Sequence, residues 1–146
     1  MGFGRCDFRK LQKLADNIEA LRNGRVNDFT ESAVREIALR LLRRVKQKTP
    51  VKEGALKDSW DIGEVKRTGN TYTIEIINPI EYASYVEYGH RQTPGRYVPA
   101  IGKRLKASWV NGKFMLTISL SEIESQIPAI VEDKIWRELR RCFNNC

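Results

Sequence analysis

The chain has little of what most enzyme sites are made from. It holds one histidine, His90, and three cysteines, Cys6, Cys142 and Cys146. An odd cysteine count, placed near the two ends, does not make a closed disulfide framework. Cys142 and Cys146 are spaced to share a helix face, but a structural zinc site needs two further ligands and His90 is remote in sequence. Free thiols, with no metal and no other cofactor, are the expectation. No G-x-x-x-x-G-K-[ST] or G-x-G-x-x-G loop is present to cradle a phosphate. No apolar run approaches the roughly 18 residues that read as a membrane helix. Met1-Gly2-Phe3-Gly4-Arg5-Cys6 lacks an apolar signal region, and Cys6 stands where a myristoylation site has Ser or Thr. The expectation is a soluble protein of a reducing cytoplasm without a membrane partner.

What the chain does have is positive charge: a formal net charge of +8 and a pI near 9.6. That balance favours nucleic acid, a membrane surface or an acidic protein face, and selects none of them. The basic residues are spread along the chain, as for a basic surface or pore lining rather than a disordered tail. Hydrophobic residues make up 41% of the sequence, enough for one modest core without a disulfide or metal staple. The length fits a single domain, residues 1–146, with residues 1–25 as an N-terminal helical extension and 26–146 as the core.

Apolar periodicity predicts the elements. Phe8, Leu11, Leu14, Ile18 and Leu21 mark a first helix over 7–23, with Asp7 as its cap and Asn23-Gly24 as its stop. Val34, Ile37, Ala38, Leu41, Leu42 and Val45 form one stripe of a long helix, capped by Asp28 or Thr30 and ended by Pro50. Its basic face, Arg40, Arg43, Arg44 and Lys46, is either solvated or acid-facing. Strands are expected at 59–65 and 71–77, the second with Tyr72, Ile74 and Ile76 inward. A short helix is favoured at 81–88, then a long mobile loop over 89–104. A hairpin over 106–120 would turn at Asn111-Gly112, a type I′ pair. Ser121-x-x-Glu124 is a capping box opening a C-terminal helix. Pro128 either kinks that helix or begins a second one. Trp136, Leu139 and Phe143 widen its apolar stripe, serving either an oligomer face or a larger core. The fold class is therefore α+β: an antiparallel sheet of about four strands flanked by a long helix and a C-terminal helix.

The strongest enzyme reading uses His90 as acid or base with Arg91 and Arg96 stabilising a phosphorane-like charge, as in a small basic endoribonuclease. No second histidine or rigid element supports it. Carboxylate pairs such as Glu122 with Glu124 and Glu132 with Asp133 diverge on a helix. A nucleic-acid-binding module is the other alternative, although no helix-turn-helix, zinc finger or RNP pattern is present. Tyr82, Tyr85 and Tyr88 pack on the sheet in the simpler view, or stack on bases in that one.

Two stretches carry a resemblance. One is Thr49-Pro50-Val51-Lys52-Glu53-Gly54-Ala55-Leu56-Lys57-Asp58-Ser59-Trp60. The other is Tyr82-Ala83-Ser84-Tyr85-Val86-Glu87-Tyr88-Gly89-His90-Arg91, followed by Arg96-Tyr97-Val98-Pro99-Ala100. Together they resemble the tail-completion, neck or head–tail joining proteins of tailed bacteriophages, over roughly residues 30–140. His90 stands where those proteins often have threonine, and the first 25 residues have no counterpart in them. The resemblance implies a structural virion protein, not an enzyme. It would assemble as a ring that completes the tail and joins it to the head, beside a head adaptor and a tail terminator. It would be made in the host cytoplasm and incorporated into the virion. Thr49, Pro50, Val51 and Gly54 would fix a helix-to-strand turn, with Leu56 and Trp60 anchoring the first strand. Tyr88, Gly89, His90, Arg91, Arg96, Tyr97 and Pro99 would form an assembly loop. Arg91, Arg96, Lys103, Arg104 and Lys106 would face DNA in the lumen or an acidic partner.

Overall fold

A computed structural model describes residues 9–20 and 24–144. Asp7, Phe8, Leu21, Asn23, Cys6 and Cys146, used above, lie outside them, as do the side chains of Leu11, Leu14 and Cys142. The fold is α+β. Helix α1 spans Arg9–Ala20 and α2 spans Val26–Lys48; a 3₁₀ turn at Val51–Glu53 leads into α3, Gly54–Asp58. Four short strands follow: β1 Asp61–Ile62, β2 Lys66–Thr68, β3 Thr71–Thr73 and β4 Ile76–Ile77. Then come α4 Ala83–Tyr88, β5 Gly89–Arg91, β6 Tyr97–Val98, β7 Lys103–Arg104, β8 Trp109–Asn111 and the long α5, Met115–Asn144. The strands pair antiparallel as four two-stranded ribbons: β1 with β4, β2 with β3, β5 with β8, and β6 with β7.

The core is a seam between α2 and α5, closed at one end by α3 and Trp60. Val45, Leu56, Met115 and Ile123 are almost fully buried, with Leu41 and Trp60 beside them. Each such aliphatic side chain contributes about 1.5–3 kcal/mol by leaving water. On α5 the buried positions Met115, Ser119, Ile123 and Ile130 recur at helical spacing. The buried Ser119 hydroxyl is satisfied by donating to the Met115 carbonyl at 2.6 Å. The two helices run antiparallel, since Arg44 pairs with Glu122 while Glu36 pairs with Lys134.

The Thr-Pro-Val motif has a direct structural cause. The Thr49 amide and hydroxyl both donate to the Val45 carbonyl, and the Thr49 hydroxyl accepts the Trp60 indole N–H at 3.0 Å. The end of α2 is thereby tied to the start of the ribbon region. Leu56 anchors a helical turn, not a strand, and the first strand is only Asp61–Ile62. Gly54 has ordinary helical angles and open space around a Cβ, so the turn does not require glycine there.

Other expectations are corrected. Helix α2 begins at Val26, and Thr30 lies inside it, bonded back to the Val26 carbonyl. Residues 113–120 do not return as a strand: Trp109–Asn111 pairs instead with Gly89–Arg91, and α5 is under way from Met115. Ser121 and Glu124 therefore sit inside that helix, and Pro128 lies in its interior with no second helix beginning there. Segment 89–104, expected as irregular loop, contains three of the short strands. The alternation over 71–77 is as read, with Tyr72, Ile74 and Ile76 half-buried and Thr73 and Glu75 exposed.

Candidate assembly surface

The basic arm, residues 89–113, leaves the body and returns to it through one pinch. Gly89 has φ +83° and a Cβ there would lie 2.3 Å from the Val110 carbonyl oxygen. Opposite it, a Cβ on Gly112 would lie 2.2 Å from the Glu87 carbonyl oxygen. Both positions need glycine because two backbones cross in contact. Gly112 does not take the positive φ of a type I′ turn. Lys113 N–H donates to the Val86 carbonyl at 2.7 Å and Phe114 N–H to the Glu87 carbonyl at 3.0 Å, closing the pinch.

Glu87 explains the rest of the Tyr-Val-Glu-x-Gly motif. Its side chain is buried beneath the first turn of α5. One carboxylate oxygen accepts the Leu116 amide at 2.9 Å; the other accepts the Thr117 amide at 2.9 Å and the Thr117 hydroxyl at 2.7 Å. A helix start leaves its first amides without intrahelical partners and carries partial positive charge. Glu87 supplies both the acceptors and the opposite charge, from an element 28 residues upstream of Met115.

Around this pinch the aromatic residues face outward. Tyr85, Tyr88 and Tyr97 are 57%, 61% and 53% exposed, and Ile101, Trp109 and Phe114 are exposed with them. The expectation that Tyr82, Tyr85 and Tyr88 pack on the sheet is not met; from α4 it is Ala83 and Val86 that pack against the core cluster. His90 is half-buried, its ring 5.7 Å from that of Tyr85 and its Nε2 3.4 Å from the Gln92 amide nitrogen. His90 and Arg91 are successive strand residues and so project from opposite faces. That separates the acid/base candidate from the cation meant to assist it.

The arm's cations are Arg91, Arg96, Lys103, Arg104, Lys106 and Lys113, all exposed. Among the described residues none of them forms an ion pair; Arg104 donates only to the Gly95 carbonyl, at 2.7 Å. Pro99 opens a 3₁₀ turn beside Tyr97, in an exposed stretch. The basic face of α2 differs in part. Arg44 and Lys48 hold Glu122 at 3.0 and 2.8 Å, and Arg40 holds Glu36 at 2.9 Å, whereas Arg43 and Lys46 form no ion pair among the described residues. The Lys134 ammonium, donating to Glu36, holds that carboxyl below the usual carboxylate range against an opposing effect of burial. The Lys48 ammonium does the same for Glu122. On α5, Trp136 and Phe143 are exposed and Leu139 is half-buried in a groove of about 160 Å³ with Phe29 and Ile135. Among the described residues no group of His, Cys, Asp and Glu could hold a metal ion, and no helix is long and apolar enough to cross a membrane.

Exposed aromatics thus lie beside cations that form no ion pair among the described residues, on an α+β body. The family description "Bacteriophage HK97-gp10, putative tail-component" matches residues 12–89. The chain belongs to this HK97-gp10-like family of phage tail components. The match begins inside α1, earlier than the resemblance placed it, and ends at Gly89, where the arm begins. No curated protein and no solved structure matches the chain. Sequence reasoning missed the role of Glu87 and Gly112. The signal for Glu87 was a charged residue inside an otherwise apolar turn; Gly112 carried none beyond its Asn-Gly context.

Proposed function

We propose that the chain is a structural protein of the phage neck, assembling as a homo-oligomeric ring that completes the tail and joins it to the head. Its neighbours would be a head adaptor and a tail terminator, and its assembly would take place in the host cytoplasm. One observation carries the reading: a phage tail-component body presents, through a backbone pinch, an arm whose cations form no ion pair among the described residues and whose aromatics are exposed. Burying such an arm between subunits or against neck partners gives those groups contacts. Replacing Arg91, Arg96, Lys103, Arg104 and Lys106 with Gln in the phage tests it. The expected outcome is fewer infectious particles with free heads and tails accumulating, from a subunit that still folds. Normal particle yields would show that the arm is not the joining surface.

A further inference from the structure

The arm's charge has a counterpart on the same chain. Residues 89–113 contain six Lys or Arg and no Asp or Glu. Residues 58–64 and 74–88 contain Asp58, Asp61, Glu64, Glu75, Glu81 and Glu87 and no Lys or Arg. Glu87 is consumed beneath α5, but the other five are exposed. Asp61, Glu64 and Glu75 are brought together because β1 pairs with β4, Asp61 lying opposite Ile77, and Gly63 N–H donates to the Glu75 carbonyl at 2.8 Å; Asp58 and Glu81 flank that ribbon in sequence. Asp61, Glu75 and the exposed Ile77 thus share the outer face of one ribbon, while Ile76 on the inner face packs on the core. Among the described residues Asp58, Asp61, Glu64 and Glu81 form no ion pair, and Glu75 reaches only Lys66, at 3.9 Å between two largely exposed side chains. Both surfaces also carry exposed apolar groups, Tyr97, Ile101 and Trp109 on the arm and Ile77 and Tyr82 by the ribbon.

We infer that the basic arm of one copy docks on the acidic β1–β4 ribbon of the next. The inference rests on the ring reading above and specifies its interface. Two different surfaces of one chain that complement each other make a head-to-tail contact, which closes into a ring when the rotation permits. Opposite charges would set the register, and the apolar groups would supply contact area between them. The arm needs an acidic partner, and a second copy brings one without any further component.

Charge exchange tests the inference. An arm-reversed chain carries Arg91→Glu, Arg96→Glu and Lys103→Glu; a ribbon-reversed chain carries Asp61→Lys, Glu64→Lys and Glu81→Lys. Circular dichroism confirms that each stays folded, and light scattering and native mass spectrometry report its assembly. Each variant alone should associate roughly 100-fold more weakly than wild type, because like charges then face each other. An equimolar mixture should recover assembly, with the two chains alternating, and one chain carrying both reversals should recover it alone. A wild-type oligomer indifferent to both reversals would overturn this interface while leaving the ring. A wild-type chain that remains monomeric at all concentrations would overturn the ring and the interface together. Arm reversal that abolishes binding to a duplex DNA probe while leaving assembly intact would assign the arm to nucleic acid and overturn the inference.

Discussion

The α2–α5 seam and the 89–113 arm are both basic, and they use that charge in opposite ways. Along the seam, Arg44 and Lys48 of α2 reach Glu122 of α5 and Lys134 of α5 reaches Glu36 of α2, bridging two helices already joined by Val45, Met115 and Ile123, while Arg40 pairs with Glu36 within α2. Along the arm six cations form no ion pair among the described residues, and the aromatics are exposed. The same sign of charge is paired across two helices in one region and left solvent-exposed in the other. Net charge alone does not distinguish them; the location of the carboxylates does.

The comparison breaks most severely at the pinch that separates the two regions. Gly112→Ala places a methyl group into the Glu87 backbone, and Gly89→Ala adds a positive φ to a similar collision. Each should lower stability by about 3 kcal/mol or more, read by chemical denaturation. Next comes Glu87→Ala, which leaves two part-buried α5 amides and the Thr117 hydroxyl without their acceptor. A loss of about 2–3 kcal/mol is expected. Glu87→Gln should lose less, because one amide oxygen still accepts.

A smaller effect sharpens the seam. Both Glu36 and Glu122 have folded-state pKa values below the usual 4.5. Their contribution is therefore fully present above that value and is lost as pH falls through the lower, folded one. Thermal unfolding followed between pH 5 and about 2 should show a shallower acid decline in Glu36→Gln than in wild type. Smallest of all, the five-residue arm replacement to Gln should change folding stability by less than about 0.5 kcal/mol. A large loss there would mean that the arm's charge braces the subunit, as the seam's does.

Much of the fold was legible where one rule governs a run of residues. The α2 stripe over Val34 to Val45 and the alternation of Tyr72, Ile74 and Ile76 are such runs. Legibility failed where a distant residue overrides a local signal. Phe114, Leu116, Ile118 and Leu120 alternate like a strand, yet the last three lie in α5, whose first turn Glu87 caps from across the fold, and Phe114 precedes it with φ +49°. The Asn111-Gly112 pair looks like a hairpin turn, but its glycine answers to the Glu87 backbone. The basic arm was legible as a segment, from its Gly and Pro spacing. Its lack of partners depends on which carboxylates lie near it, and no spacing rule reports that.

The bonds from Lys113 to Val86 and from Phe114 to Glu87 have one more consequence. They bring the two ends of the arm together, so the body sees the same entry and exit whatever lies between. Lengthening a flexible excursion closed in this way costs little, about 0.6 kcal/mol for each doubling of its length. The body can thus keep its cap, its seam and its crossing glycines while the segment between them changes in size and sequence. Such an architecture separates the length and sequence of the arm from the packing of the body.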